Sequence, residues 1–305
     1  MAQRQSFTNK WFSPQARQET VAGFLLIAPV LCGFLFFVAA PMLSTFWLSF
    51  HYYDLLSAPK WAGLDNFLWM LDDDRLHAVL RNTLFFAVFA VLGNTVLAVI
   101  LAAILNQKMP KSLQAVFRAA FFFPALVGLV FVAVIWQFFY HKDLGIINYY
   151  LSTLGIEKVA WLSNANTVLY SVIILDIWKN VGFGMLIALA GLQGISAEYY
   201  EAAKIDNAGK IRQFFDITLP LLSPTILFLL VMNSIGAFRV FDSIVVLTKG
   251  GPGDASRSLV MYIQEVGFRD LEMGYASAIS LLLLALVGIV TIINFVASKY
   301  WTFYE

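Results

Sequence analysis

The chain has little charge for its length. Of its 305 residues only 13% are charged, whereas 60% are hydrophobic, and this charged share is about half of what a soluble domain carries. A soluble protein of this size needs a charged surface around its core, so the composition indicates a membrane protein. The formal net charge of +1 also argues against a nucleic-acid partner, which requires a basic face.

Cysteine and histidine are scarce as well. The lone Cys32 lies in an apolar run, which excludes a disulfide framework and a cysteine-based metal site. His51, His77 and His141 lie far apart and outside the apolar runs, so they lack the spacing of metal ligands. The sequence therefore implies no metal and no cofactor.

Long apolar runs are abundant. A helix needs about 20 residues to cross a bilayer, and helix is the expected form because open strands would leave backbone groups unpaired in lipid. We predict an all-α membrane protein with about six transmembrane helices, the first of them kinked at Pro29 and Pro41. The six predicted spans are Val21–Leu48, Val79–Leu105, Ala119–Tyr140, Thr167–Leu192, Leu221–Leu247 and Tyr275–Ser298.

Basic residues near the ends of the predicted helices indicate their orientation, because cytoplasmic loops are rich in Lys and Arg. Basic residues dominate the N-terminal tail and the connection after the second span, whereas acids dominate the opposite side. Both termini are therefore expected to be cytoplasmic. The basic residues are Arg4, Lys10, Arg17, Lys108, Lys111 and Arg118, and the acids are Asp72, Asp73, Asp74, Asp270 and Glu272.

The connection between the fourth and fifth spans, Gly194–Pro220, is polar but carries helix signals. Ser196 is a suitable N-cap, and acids follow it in the first turns, where they suit the helix dipole. Asn207 and Gly209 tolerate a left-handed conformation and can end that helix. A second helical run, Lys210–Ile217, leads into the fifth span. We therefore predict a helix–turn–helix bracket on the cytoplasmic surface.

At these residues the chain resembles the integral membrane permeases of binding-protein-dependent ABC importers. Their hallmark is Glu-Ala-Ala, a Gly shortly after it and an Ile-x-Leu-Pro ending, which Glu201-Ala202-Ala203 and Ile217-Thr218-Leu219-Pro220 match at the expected separation. Asn207 stands where the Gly normally is, and Asn is the next best residue at a left-handed turn. Ser196 replaces a Pro that often precedes the helix.

Further segments, in the order of the family, resemble its carbohydrate-importing branch, including the maltose and glycerol-phosphate permeases. These segments are Gly63–Phe67, Asn82-Thr83, Phe123-Pro124, Trp178-Lys179, Ala190–Gln193 and Leu247–Gly253. The resemblance implies the ABC importer permease fold, in four parts. These parts are a cytoplasmic tail (1–20), a first transmembrane helix with its outer loop (21–78), a core permease domain of about five transmembrane helices (79–298) and a cytoplasmic C-terminal tail (299–305).

The resemblance also implies that the bracket is the coupling helix, which docks on a cytoplasmic ATPase subunit. The alternative is a solvated surface helix with a chance Glu-Ala-Ala. The chain itself is not expected to hydrolyse ATP, because Lys204 and Ile211 stand where a phosphate loop needs Gly and a hydroxyl residue. The expected ATPase-coupling residues are Glu201, Ala202, Ala203, Asp206, Asn207 and Gly209.

The implied partners are a second, non-identical permease, two ATPase subunits and an extracytoplasmic solute-binding protein. The implied location is the bacterial or archaeal cytoplasmic (inner) membrane, and the mechanism is alternating access. The solute is expected to be a mono- or oligosaccharide or a glycerol-phosphate-like compound. Two other functions remain open: an ion-gradient-driven secondary transporter and an ABC permease for a non-sugar solute.

Polar residues inside the spans are candidates for a solute path, because buried polar and charged groups are costly in a membrane. The alternative is structural: Asp176 with Lys179, and Arg239 with Asp242, are spaced to neutralise each other on one helix face, and amides can hold helices together. The candidate path residues are Asn94, Asp176, Trp178, Lys179, Asn180, Asn233, Arg239 and Asp242. The outer Gly250-Gly251-Pro252 segment is a candidate contact for the binding protein, or a plain turn.

Overall fold

A computed structural model of the protein describes residues 14–303. Residues 1–13 and 304–305 belong to the two predicted tails, and they lie outside the described residues together with the basic residues Arg4 and Lys10. The side chain of Arg17 is also outside the description.

The described chain is almost entirely helical. Its helices are α1 (Pro14–Phe34), α2 (Ala40–Leu48), α3 (Asp65–Asp72), α4 (Asp74–Leu105), α5 (Lys111–Leu126), α6 (Leu129–Phe139), α7 (Ile146–Thr153), α8 (Val168–Gly194), α9 (Ala197–Ile205), α10 (Lys210–Gln213), α11 (Leu219–Leu221), α12 (Ser223–Phe238), α13 (Asp242–Leu247), α14 (Leu259–Gln264) and α15 (Met273–Ser298). Three π-helical turns cover Leu35–Ala39, Phe214–Thr218 and Glu265–Arg269. Two short strands, β1 (His51–Tyr52) and β2 (Lys60–Trp61), pair antiparallel with His51 opposite Trp61.

Four helices are long and apolar enough to cross a membrane without a break: Thr20–Leu48, Asp74–Leu105, Val168–Gly194 and Met273–Ser298. The number rises to six when two bent helix pairs are each counted as one span. The predicted all-α membrane fold is thus confirmed. In the first span, a π-helical turn directly precedes Pro41, where the proline ring and its missing N–H disturb the regular ladder.

The third predicted span, Ala119–Tyr140, is wrong as a continuous helix. It is broken into α5 and α6, whose axes meet at 101°. Pro124 lacks an N–H donor near the end of α5, and Val127 and Gly128 then adopt extended backbone angles, with ψ of 136° and 132°. The chain therefore turns sharply inside the segment that the sequence predicts as the third span.

The fifth predicted span, Leu221–Leu247, is also interrupted. Its first part is bent by 66° from the preceding α10–α11 segment, and α12 ends at Phe238. Arg239–Phe241 separates it from the short α13. The predicted pair Arg239 and Asp242 therefore lies at a break between two helices rather than on one continuous helix face.

The centre of the bundle is the packing of α8 against α4 and α5. Gly182 of α8 faces the backbone of α5, where an added methyl group would overlap the carbonyl oxygen of Phe121. This close backbone approach brings side chains of α8 within reach of the end of α5. Gly182 thereby fixes the spacing on which the site described below depends.

Two hydrogen bonds indicate which segments lie together at each end of the bundle. The backbone N–H of Phe303, after α15, donates to Ser223 Oγ at 2.9 Å, so the C-terminal end lies beside the start of α12 and the predicted bracket. At the opposite end, the N–H of Gly274 donates to the carbonyl of Tyr53 at 3.2 Å, which joins the start of α15 to the segment after α2.

Gly182→Ala should destabilise the protein, because the added methyl group meets backbone that cannot rotate away. We expect a loss of about 1–3 kcal/mol, the usual range for overpacking, seen as a lower midpoint of thermal unfolding in detergent. Gly288→Ala is the matched control, since Gly288 also lies in a membrane helix but has open space around it. Equal midpoints for the two variants would contradict the close approach of α5 and α8.

Candidate functional site: a polar cavity and a surface bracket

A cavity of about 370 Å³ lies between α4, α5, α8 and α12. Its wall combines polar side chains with apolar ones, which is the mixture that ligand sites commonly show. The lining residues are Ala90, Asn94, Ala125, Asp176, Asn180, Phe183, Met232, Asn233, Gly236 and Ala237.

The Asp176 carboxylate is the centre of the polar wall. Asn94 Nδ2 donates to Asp176 Oδ2 at 3.0 Å, and Asn180 Nδ2 donates to Asp176 Oδ1 at 3.0 Å. Asn94 is only 5% exposed, and its Oδ1 atom is buried without a hydrogen-bond partner among the described residues. A buried polar atom without a partner is uncommon in a protein, and here it belongs to a residue of the cavity wall.

The other side of the cavity belongs to α12. Asn233 Nδ2 donates to Thr95 Oγ1 at 3.0 Å, which ties α12 to α4 beside the Asp176 group. Phe183 and Met232 provide apolar wall surface. The cavity therefore offers hydrogen-bonding groups next to an aromatic ring, as a compound with polar edges and apolar faces requires.

Lys179 forms no salt bridge with Asp176, so the alternative of a directly contacting pair on one helix face is wrong, although the two charges act on each other from a longer distance. Its ammonium group donates to the carbonyl oxygens of Pro124, Ala125 and Val127 at 3.3, 3.3 and 2.9 Å. The residue is only 9% exposed. These carbonyls lie at the end of α5, where a helix lacks backbone donors for most of its last acceptors and where a positive charge suits the helix dipole; the Pro124 carbonyl also accepts the N–H of Val127 at 3.3 Å.

The remaining candidates lie away from the cavity wall. Trp178 is 44% exposed, and its ring centroid lies 5.5 Å from that of Trp136. Arg239 and Asp242 are exposed, and no ion pair joins them in the described chain, so this second predicted pair is also wrong. The structure thus brings Asn94, Asp176, Asn180 and Asn233 together and leaves out Trp178, Lys179, Arg239 and Asp242.

The bracket begins as its sequence predicts. Ser196 Oγ accepts the N–H of Glu198 at 3.3 Å and caps α9. At the other end, Asn207 has a φ of +54°, and the N–H groups of Asn207 and Ala208 donate to the carbonyls of Lys204 and Ala203 at 3.0 and 2.9 Å. This pair of bonds is the Schellman ending of a helix.

One expectation at this turn is wrong. Gly209 does not adopt a left-handed conformation but an extended one, with φ of −66° and ψ of 164°, and it precedes α10 as its N-cap. The single left-handed residue Asn207 is enough to end α9, so a second one is not needed. The predicted second helical run is present as α10 and the π-helical turn Phe214–Thr218.

Hydrogen bonds hold the bracket together internally, whereas many of its side chains are exposed at the surface. Tyr200 Oη and Thr218 Oγ1 lie 3.0 Å apart, and Gln213 Nε2 donates to the carbonyl of Ala208 at 2.7 Å. No residue of α9 is buried, and Ile205 and Ile211 are 81% and 78% exposed. Of the predicted coupling residues, Ala203 is partly covered and the others, Glu201, Ala202, Asp206, Asn207 and Gly209, are exposed.

The glycine-rich outer segment is an ordered turn at the opposite end of the bundle. Gly250 has a φ of +81° and lies against Arg257 and Met261, so it is buried. Ser256 Oγ donates to the carbonyl of Gly251 at 2.7 Å. Gly251 and Pro252 are partly exposed, and they are therefore the accessible part of this segment.

Sequence reasoning missed a charged cluster at the same end. Arg75 Nε donates to Asp254 at 2.9 Å, and Arg75 Nη2 lies 3.2 Å from Glu265. Arg257 pairs with both acids as well. Although burial raises the pKa of Asp254, its hydrogen bonds from Arg75 and Arg257 hold that pKa below the ordinary value. No local spacing reveals this cluster, because Arg75 is separated from its acidic partners by 179 and 190 residues.

A helical membrane bundle with a polar cavity and an exposed surface bracket defines a membrane transport component. The chain belongs to the family described as binding-protein-dependent transport system inner membrane component, which matches residues 94–299. The predicted resemblance to ABC importer permeases is thereby confirmed, as is the predicted inner-membrane class.

Comparisons with individual relatives support the same family. The chain is 39% identical over 298 residues to the probable ABC transporter permease protein YesP of Bacillus subtilis (strain 168), covering 96% of this chain and 95% of that one. It is 37% identical over 279 residues to the trehalose/maltose transport system permease protein MalF of Thermococcus litoralis, covering 90% and 93%. A bacterial alginate ABC transporter, solved with an alginate pentasaccharide-bound periplasmic protein, has the same fold at 22% identity, with a TM-score of 0.83 over 95% of this chain and 98% of that one.

Lys179→Met should destabilise the bend between α5 and α6, because it keeps an unbranched side chain, one atom shorter, but removes the donor to three carbonyls. Leaving buried acceptors unpaired costs about 1–3 kcal/mol, so the thermal midpoint in detergent should fall. Lys142→Met is the matched control, since Lys142 is exposed. Lys179→Arg should recover part of the loss, whereas equal stability of Lys179→Met and Lys142→Met would contradict this role of Lys179.

Proposed function

We propose that the chain is the permease subunit of an ATP-driven, binding-protein-dependent importer for a sugar-like solute. It forms the translocation path by alternating access and is driven by separate ATPase subunits through the bracket. Relatives named as a trehalose/maltose permease and as a sulfoquinovosyl glycerol permease support a carbohydrate-like solute. The alginate transporter, solved with its periplasmic protein, supports an extracytoplasmic binding protein as a partner.

One observation carries this proposal: the bracket connects the two helices that line the cavity. It begins directly after α8, which holds Asp176 and Asn180, and it ends directly before α12, which holds Asn233. A helix rises 1.5 Å per residue, so the bracket begins roughly 21 Å along α8 from Asn180. A push on the bracket therefore moves both walls of the cavity as rigid helices, which is the kind of motion that alternating access requires.

The exposed face of the bracket is suited to a protein partner. Glu201 provides an anionic group for basic or backbone donors, and Ala202 allows a close approach. Ile205 and Ile211 are the most exposed apolar side chains here, and they would be buried by docking. The internal hydrogen bonds of the bracket support this role, because a rigid element transmits displacement without bending.

We propose that the cavity is the part of the solute path that this subunit contributes to the importer. Asp176, Asn94, Asn180 and Asn233 supply hydrogen-bonding groups, and Phe183 supplies an aromatic surface against which a sugar ring can pack. At the opposite end, Gly251 and Pro252 are proposed to contact the binding protein. A second, non-identical permease and two ATPase subunits complete the importer.

Glu201→Lys should uncouple ATP hydrolysis from transport while leaving the fold intact, because Glu201 is exposed on a helix without buried residues. The test is a pull-down of the tagged chain from its own membranes, followed by an ATPase assay of the recovered complex. The unaltered chain should bring down an ATPase subunit, and Glu201→Lys should release it.

Glu157→Lys is the matched control, because Glu157 is exposed in the segment between α7 and α8, at the opposite end of the bundle. This variant should retain the ATPase subunit. Unchanged recovery and unchanged solute uptake with Glu201→Lys would remove the coupling role of the bracket. A chain that is recovered alone and moves solute without ATP would contradict the importer as a whole.

A further inference from the structure

The cavity wall presents hydrogen-bond acceptors and one carboxylate toward the space that it encloses. Resting on the proposed function, we propose that this cavity selects its solute by charge: it takes neutral, hydroxyl-rich or amine-bearing groups and disfavours phosphate, carboxylate or sulfonate groups. The proposal depends on three observations, which concern the donors, the nearest cation and an unpaired acceptor.

Each amide NH₂ group of the wall already donates one of its two hydrogens inside the protein. An ionised carboxylate can only accept hydrogen bonds, so Asn94 and Asn180 must turn their NH₂ groups toward Asp176, at 3.0 Å each. The NH₂ group of Asn233 points to Thr95 Oγ1. What remains for a solute is the free lone pairs of Asp176, the amide oxygens and the second hydrogen of each NH₂ group.

The nearest cation is turned away from the cavity. Lys179 lies on α8 three residues after Asp176, but its ammonium group is occupied by three carbonyls at the end of α5. No Lys or Arg of the described chain lines the cavity. Among the described residues Asp176 forms no salt bridge, so its direct contacts are the two amide hydrogen bonds, and Lys179 acts on its charge only from a longer distance.

The unpaired Asn94 Oδ1 gives a direct sign of what the site requires. It is a buried acceptor without a donor in the protein, and such an atom costs free energy until a partner supplies a hydrogen. A solute hydroxyl or ammonium group can form a short, charge-assisted bond to Asp176. An anionic group without a hydrogen cannot donate to either acceptor, and the charge of Asp176 repels it.

The charge of the cavity wall narrows the range of solutes that it can accept. An uncharged saccharide, or one that carries an amine, fits the wall of this chain. A glycerol-phosphate-like solute or an acidic sugar would need cations that the cavity lacks. The selectivity would arise from Asp176, since the other polar groups of the wall are uncharged amides.

The charge preference can be measured without knowing the solute. A cysteine is placed at Gly236, which lines the cavity, is exposed and has no atom near the position of an added side chain, in a chain whose native Cys32 is replaced by Ala. The purified full chain in lipid nanodiscs is then treated with two methanethiosulfonate reagents of similar size, one with an ethylammonium group and one with an ethylsulfonate group. The labelling rate with the ethylammonium reagent is divided by the rate with the ethylsulfonate reagent. This ratio is then normalised to the same ratio measured for a free thiol in solution.

We expect the normalised ratio to favour the cationic reagent by about tenfold or more, the lower range for a cleft lined by one sign of charge. Asp176→Asn should bring the ratio close to one, whereas Asp176→Glu, which keeps the charge, should preserve most of it. A ratio near one in the parent chain, or a cationic preference that survives Asp176→Asn, would overturn the proposal. The parent ratio alone decides the question if Asp176→Asn does not fold.

This labelling experiment separates the inference from the proposed function, because it needs neither ATP nor a partner subunit. A tenfold cationic preference in a chain that binds no ATPase would uphold the charge selectivity and remove the importer. A working importer whose cavity shows no preference would remove the charge selectivity alone.

Discussion

The hydrogen bonds between Lys179 and the end of α5 are the interaction on which the rest of the site depends. A helix that stops inside a membrane bundle exposes carbonyl groups away from water, and unpaired polar groups there are expensive. Lys179 reaches three such carbonyls across a contact that Gly182 makes possible. The sharp bend of 101° between α5 and α6 is therefore a stable feature, and it sets the position of Ala125 in the cavity wall.

The same interaction determines the electrostatics of the cavity. Because Lys179 is committed to backbone carbonyls, no cation contacts the Asp176 carboxylate, which is held by two amides instead. The cavity wall then contains a carboxyl group and no cation among the described residues. The carbonyl groups at the end of a broken helix must find hydrogen-bond donors. This requirement fixes both the shape of the cavity wall and the chemical character of its polar part.

The geometry also connects this cavity with the surface of the bundle. The bracket is a direct continuation of α8 and leads into α12, so it lies on the two helices that carry Asp176 and Asn233. The Schellman ending of α9 and the hydrogen bonds from Tyr200 and Gln213 stiffen it. A rigid exposed element that is joined to both walls of a polar cavity provides the mechanical link that an ATP-driven importer needs.

Features encoded by local patterns were predictable from the sequence, and features set by distant contacts were not. Four of the six long spans, the Ser196 cap and the left-handed Asn207 depend on neighbouring residues, and the structure has all of these. The Asp176–Lys179 pairing failed because helical spacing places the two residues near each other but does not reveal the three carbonyl acceptors at the end of another helix. The break after Pro124 could have been suspected from Pro124 and Gly128, whereas the Arg75 cluster unites residues that no local pattern connects.

The most direct test of the central claim is solute uptake by the reconstituted complex of this chain with its co-purified partners. Proteoliposomes are loaded with ATP, given the binding protein with its solute outside, and treated with ionophores that collapse all ion gradients. We predict uptake that requires ATP and the binding protein, and that continues at the same rate after the gradients are removed. Uptake that proceeds without ATP and stops when the gradients collapse would contradict the account and would identify a secondary transporter.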